Sequence, residues 1–248
     1  MYEAFVVRRT LPDAYHGALA ELEAFGEIVD CPDWNTTAKE VGMTIHVKEP
    51  LAEPMISKLF SGGPRELEQY RMEMLYGILD FEIKKGNWKY TYHDRFAGQI
   101  PFIIEELKRN PNSRRAVISI RTSEDIGSDD PACMQHMQFQ IRHGKLEMSV
   151  LFRSNDAVKA SFMNMFALIM LQKKIADELG LIVGPYTHRV NNFHCYEKDF
   201  KLLEKYVMRI YTSGFEDLTY DYLNDWEDIM DEYRPDILAE VEKLKRQG

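Results

Sequence analysis

Cysteine is scarce in this chain. Only Cys31, Cys133 and Cys195 occur among 248 residues, and no two of them share CxxC spacing. So sparse and odd a set excludes a disulfide framework and a thiol-based zinc site. Long apolar runs are missing too. No stretch of about 18 apolar residues exists, so no membrane span is expected. Met1 to Thr10 lacks the apolar core of a signal peptide. Together these absences predict a cytoplasmic protein with no membrane partner and no metal. Internal repeats, low-complexity tracts and linkers are also lacking. Nor is there a surplus of positive charge. The formal net charge of −9 argues against broad nucleic-acid binding, and no nucleic-acid partner is expected. The acidity is concentrated at one end: Glu216 to Gln247 holds eleven acidic and four basic residues. The remaining body is close to neutral and can house a local anion pocket.

What is present is a chain able to build a core, with 45% hydrophobic and 29% charged residues. Glu3 to Arg8 and Val41 to Val47 read as strands, and Leu11 to Phe25 as a helix between them. Cys31 to Asn35 is a loop, and Ser61-Gly62-Gly63-Pro64 is the sharpest break. Glu66 to Phe81 has helical periodicity. Pro101 to Lys108 is a short helix ended by Asn110-Pro111-Asn112. Ala116 to Arg121 is a strand. Met134 to Arg142 and Lys145 to Arg153 flank His143-Gly144, a hairpin signal. Val158 to Leu179 is apolar nearly all round and is expected to be a buried central helix. Glu197 to Tyr211 and Pro235 to Arg246 are further helices. The reading is one α+β domain over residues 1–248, with an acidic helical C-terminal extension over 214–248.

Cys133 follows Asp130-Pro131-Ala132 and precedes a strand, and Arg153-Ser154-Asn155-Asp156 ends the partner strand. The hairpin can bring the arginine to the cysteine, and a guanidinium favours the thiolate that attacks. A lone cysteine is otherwise usually a buried small hydrophobe. Around Cys133 the motifs multiply. Gln138-Phe139 follows on the same strand, and Asn164 lies on the next helix, in Phe162-Met163-Asn164. Upstream stand Asn110-Pro111-Asn112-Ser113-Arg114-Arg115, Tyr90 spaced to Arg95, and Glu73-Met74-Leu75-Tyr76. Downstream stands Thr187-His188. This order and spacing, from about Glu73 to Asn192, resembles the thymidylate synthase and pyrimidine nucleotide hydroxymethylase family. The compact layout is similar to its short, divergent, archaeal-type branch.

That resemblance implies a thymidylate synthase-like fold: a mixed sheet with a long buried central helix, pairing through the sheet into an obligate homodimer. It implies transfer of a one-carbon unit from methylene-tetrahydrofolate, as cosubstrate, to carbon 5 of a pyrimidine nucleoside monophosphate. Cys133 would add to carbon 6, Asn164 would stabilise the enolate, and Glu73 and Tyr90 would manage protons. Arg153 and Ser154 would hold the phosphate, joined by Arg114 and Arg115 from the other subunit. His188 would contact the sugar and Asp156 the pterin. Asn164 matches the oxygen 4 and N3–H edge of uracil, which favours dUMP and a dTMP product. The alternatives are hydroxymethylation of dUMP, dCMP or CMP, and a non-catalytic nucleotide-binding relative.

Several residues also have plainer readings. Asp156 suits a helix N-cap, Asn164 a packing hydrogen bond, Glu73 a solvated helix face, Arg114-Arg115 a charged strand start, and His188 a solvated loop. The chain also departs from the family pattern. Trp88 is the only tryptophan between the Glu73 helix and the Tyr90–Arg95 pair, and Val190 stands where a tyrosine follows the motif histidine. The C-terminus is charged rather than small and apolar. No N-terminal phosphate-binding arginine loop is visible; Arg8, Lys58 and Arg65 are the candidates to replace it. The acidic segment from Gly214 has no evident family counterpart, and reads as a helix pair packing its aromatics on the core or as a lid over the folate.

Overall fold

The computed structural model describes residues 1–247. Alternating apolar residues form β1 (Glu3–Arg8), and Pro12 sits in the first turn of α1 (Leu11–Phe25), where no N–H partner is needed. The chain returns as β2 (Glu27–Cys31), turns through a left-handed Asn35 (φ 47°), and continues as β3 (Thr36–Val47). A short strand β4 (Ile56–Ser57) precedes α2 (Pro64–Tyr76). Glu66 folds back to accept the Gly63 N–H at 2.9 Å, which fixes the start of α2. Gly77, at φ 61°, ends it. Three short helices follow: α3 (Phe81–Lys84), α4 (Tyr92–Ala97) and α5 (Ile100–Arg109). Next come β5 (Val117–Ser119) and the hairpin of β6 (Met134–Arg142) and β7 (Lys145–Asp156). His143 and Gly144 both have positive φ, as a tight hairpin turn requires. Then follow α6 (Ser161–Leu179), β8 (Ile182–Tyr196), α7 (Phe200–Thr212), β9 (Thr219–Tyr220) and α8 (Glu227–Arg246).

Seven strands make one mixed sheet in the order β1-β3-β8-β7-β6-β5, with β2 pairing the outer part of β3. β1–β3 and β7–β8 are parallel, and the other pairs are antiparallel. Register assigns the two faces. Val6, Ile45, His188, Val150, Met137 and Ile118 lie in line across the strands, and all are buried. The opposite face carries Phe5, Thr44, Arg189, Leu151, His136 and Ser119. Against the first face lies α6, whose residues are buried nearly all round, as the expected central helix requires.

The helix read as Glu66 to Phe81 stops at Tyr76, the one read from Val158 starts at Ser161, and β2 is absent from the sequence reading; two further elements differ more. The stretch taken as a loop around Thr187-His188 is the long strand β8, between β3 and β7. Gly184-Pro185 misleads because proline seldom sits within a sheet. Here Pro185 falls where the β7–β8 register shifts between Leu146 and Met148, so an extra residue is accommodated. The Gln172 side chain of α6 plugs this spot, donating to Leu146 O at 2.7 Å and Gly184 O at 3.0 Å. The last helix also starts earlier than Pro235, at Glu227, and contains that proline. Its Met230, Ile237 and Val241 are buried, and Tyr222 and Trp226 just before it are buried too. Trp226 meets the Phe60 ring at 6.0 Å. β9 pairs with β4. At the seam with α2, fully buried Glu68 joins Arg71 (2.6 Å) to Arg234 (2.5 Å). The acidic segment therefore packs Tyr222 and Trp226 on the core, while its Phe215, Tyr220 and Tyr233 stay exposed.

Candidate active site

The β6–β7 hairpin brings Arg153 to the Cys133 loop. The Arg153 Nη2 donates to Pro131 O at 2.8 Å and Nε to Ala132 O at 3.3 Å. The Arg153 backbone N–H also donates to Cys133 O at 2.8 Å. The arginine thus clamps the loop that carries the nucleophile candidate. Cys133 is half-buried at the wall of a cavity of about 390 Å³. Burial pushes its thiol up, Arg153 pulls it back, and Asp130 adds to the rise. The net direction corrects the expectation from sequence: without a ligand the guanidinium does not outweigh desolvation, and the resting group is the thiol.

Opposite Cys133, α6 presents Asn164 and Met163. Asn164 is only 5% exposed, and its Oδ1 accepts from the Tyr70 hydroxyl of α2. An amide oxygen has two lone pairs, so one acceptor site and the NH2 group remain for a ligand. Tyr70 is a site residue the sequence reading missed. The signal was there: Tyr70 and Glu73 are three apart on one helix face. Tyr92 was missed as well. It lines the same cavity, and its hydroxyl accepts the Met134 N–H at 3.3 Å.

Tyr70, Tyr92 and Asp130 are shared with a second lobe of about 460 Å³, which adds Glu73, Asp80, Trp88, Tyr90 and His93. Burial raises the Glu73 carboxyl above its usual range, while Gln69, donating at 3.0 Å, lowers it in part. Burial is also the first cause holding Tyr90 up at about 12, and Tyr70 and Tyr92 are raised by the same effect. All three phenols are therefore neutral donors at neutral pH. Tyr90 meets Tyr92 at 5.9 Å, with the Arg95 guanidinium 5.3 Å from its ring.

At the other end of the first lobe stand Ser154, Asp156, His194 and Tyr196, with Trp34 from the β2–β3 turn. Asp156 Oδ1 accepts the N–H groups of Val158 (3.0 Å) and Lys159 (2.9 Å). These bonds close the turn that leads into α6, whose N-cap is Ala160 with no side-chain cap, so the helix-capping reading is not met; the same side chain also lines the cavity. Ser154 Oγ lies 3.2 Å from His194 Nδ1.

Three predicted contacts are not brought here. His188 is fully buried on the core face, its Nδ1 2.8 Å from the Tyr186 hydroxyl and its Nε2 without a partner. Desolvation holds it down at about 3. It is neither the solvated loop residue nor a group facing the cavity. His194-Cys195-Tyr196 instead has the histidine-x-tyrosine spacing that Val190 breaks after His188, and a strand assignment for 182–196 would have revealed it. Arg114 and Arg115 lie exposed before β5 and do not line the cavity of their own chain. Arg8, Lys58 and Arg65 are elsewhere too: Arg8 pairs with Asp13, Lys58 covers the Tyr220 ring, and Arg65 pairs with Glu240. Among the described residues no group of three His, Cys, Asp or Glu side chains could hold a metal ion, and no helix is long and apolar enough to cross a membrane.

Fold and cleft define a class: an α+β protein in which a thiol, the arginine that clamps its loop and a buried amide line one cavity. Known proteins make the assignment specific. The family model described as "Thymidylate synthase" matches residues 66–238. A protein of Methanocaldococcus jannaschii described as "Putative thymidylate synthase" is 33% identical over 213 residues, covering 81% of this chain and 95% of that one. One of the same description from Methanosarcina barkeri is 27% identical, covering 80% and 92%. The solved thermostable thymidylate synthase A from Bacillus subtilis superposes with a TM-score of 0.64 at 16% identity, over 80% of this chain and 84% of that one, and so shares the fold. The chain belongs to the thymidylate synthase family. The match reaches residue 238, so most of the acidic segment does have a family counterpart, against the expectation from sequence.

Proposed function

We propose that this protein transfers a one-carbon unit from methylene-tetrahydrofolate to carbon 5 of dUMP, forming dTMP, through a covalent Cys133 adduct. The observation that carries the reading is the convergence of Cys133, Arg153 and Asn164 on one cavity. Carbon 5 of a uracil is a poor nucleophile until a thiolate adds at carbon 6. Asn164 is placed to hold the charge that then develops on the ring, and the neutral phenols of Tyr70 and Tyr92 can supply further hydrogen bonds. Glu73, kept protonated over a wider range by burial, can exchange a proton with the ring edge. Ser154 and Arg153 form the phosphate end. His194 and Tyr196, rather than His188, take the sugar. A pterin finds an aromatic wall in Trp88 and acceptors in the second lobe, whereas Asp156 lines the first lobe and is not part of that wall.

The cavity of one chain offers a single arginine against Asp130 and Asp156. A dianionic phosphate needs more positive charge than that, which supports completion of the site by Arg114 and Arg115 of a second copy. The open sheet face, with Phe5, Val7 and Val117 exposed, supports a dimer formed through it. The three cysteines are unpaired, which suits a cytoplasmic setting. Purified protein with dUMP and methylene-tetrahydrofolate is expected to yield dTMP and dihydrofolate, followed by absorbance. The polarity of the second lobe, with Asp80, Asn87, Lys89, Thr91 and His93 on its wall, favours a second reading, a nucleotide hydroxymethylase. Water admitted there would replace hydride, and the product's mass separates the two. A protein that neither turns over nor exchanges tritium from carbon 5 of dUMP or dCMP contradicts both.

A further inference from the structure

The second lobe holds an acid–base pair that the reading above leaves without a task. His93 Nδ1 lies 2.6 Å from Asp80 Oδ2. The other oxygen of Asp80 accepts the Thr91 hydroxyl at 2.5 Å, and Thr91 Oγ1 in turn accepts the Asp94 N–H at 3.0 Å. With Nδ1–H facing a fixed carboxylate, Nε2 is the ring atom left to exchange a proton. Among the described residues it has no hydrogen-bond partner, and His93 lines the lobe. Phe96 braces the ring edge-on at 5.6 Å. Gly77 supplies an independent observation. Its left-handed backbone already suits a helix end, but a Cβ there would also stand 2.2 Å from His93 Nδ1 and 2.3 Å from Asp80 Oδ2. The pair is seated directly on the end of α2, the helix that carries Tyr70 and Glu73.

We infer that His93, oriented by Asp80, is the general acid that releases the one-carbon unit from its carrier. This rests on the one-carbon reading and applies whether the product is methyl or hydroxymethyl. The transferred carbon is held between two carrier nitrogens. Nε2–H gives its proton to one of them as the bond from that nitrogen to the carbon breaks, and the bonding pair stays on the nitrogen. The lone pair of the second nitrogen makes up the bond to the carbon, which carbon 5 of the nucleotide then attacks. His93 regains a proton from solvent. The charged groups facing this lobe are Glu73 from α2, Asp80, Lys89 and Asp130. Of the two proton carriers, Glu73 stands beside Tyr70 and the nucleotide lobe, while His93 stands at the outer wall with Trp88 and Tyr90.

The test compares the parent with His93→Gln and Asp80→Asn in two assays. Transfer to dUMP with methylene-tetrahydrofolate should fall at least about a hundredfold in His93→Gln and less in Asp80→Asn. Release of tritium from carbon 5 of dUMP without any carrier needs Cys133, Asn164 and Glu73 but no broken carrier bond, and should persist in both variants. Transfer within threefold of the parent in His93→Gln overturns the proposal. So does a parallel fall of transfer and exchange, which means that the pair only braces the loop. A parent protein inert in both assays overturns the one-carbon reading itself, an outcome distinguished by failure of the unsubstituted chain.

Discussion

The two lobes of the cleft are built differently. The first lobe rests on long, paired elements: Cys133 just before β6, Arg153 on β7, Asn164 on the buried helix α6, and His194 and Tyr196 on β8. The second lobe rests on α2, on short pieces between residues 79 and 93, and on Asp130. A site on strands and a central helix is held by the core, whereas one on short helices is held by local contacts such as Asp80–Thr91–His93. The contrast predicts that substitutions in the first lobe change chemistry or binding at constant stability. The second lobe should instead answer to whatever braces α2.

The largest effect should come from that brace. Trp226→Ala removes a buried indole packed at a tilt against Phe60, at a cost of about 3–5 kcal/mol. Thermal unfolding should fall on the order of 10 °C, while nucleotide binding per folded molecule stays unchanged. An unaltered melting temperature would mean that the acidic segment does not support α2. Arg153→Lys comes next. A lysine cannot make the two-pronged clamp on Pro131 and Ala132, so kcat/KM should drop about tenfold to a hundredfold, with little change in melting temperature.

His194→Ala and His188→Leu set two histidines against each other. The first should raise KM for the nucleotide about tenfold, and the second should leave KM alone. His188 titrates at about 3 in the fold against an ordinary 6.5. A group with a depressed pKa stabilises above its unfolded value and loses that contribution as pH falls toward the folded one. His188→Leu should therefore unfold at lower pH than the parent. His16, held near 4 by burial, retains part of the acid sensitivity.

The smallest effect is on stability in Glu73→Gln. The folded Glu73 carboxyl is raised above 4.5. Its contribution is complete below that value and is lost as pH rises through the folded one. The glutamine variant should therefore melt above the parent at pH 8, and the gap should close toward pH 4. The opposite pH trend would place Glu73 in contact with a cation.

The same contrast explains what the sequence made legible. Cys133, Arg153, Ser154, Asp156 and Asn164 could be placed because a hairpin turn and one long apolar helix fix their spacing within the chain. His194 and Tyr196 could not, because Gly184-Pro185 disguised β8, a strand defined by its two neighbours rather than by its own alternation. Tyr92 and the Asp80–His93 pair meet the cleft only through tertiary packing of short segments, whereas Tyr70 shares the α2 face of Glu73. Arg114 and Arg115 were legible as a motif, but within one chain they lie outside the cavity that Cys133 lines.

The central claim is tested most directly by trapping the adduct. A dUMP analogue with fluorine at carbon 5 cannot lose that substituent as a proton, so the covalent complex should persist. Incubation with methylene-tetrahydrofolate, followed by peptide mass spectrometry, should place nucleotide and carrier together on the peptide bearing Cys133. An unmodified Cys133, or modification confined to Cys31 or Cys195, would contradict the account.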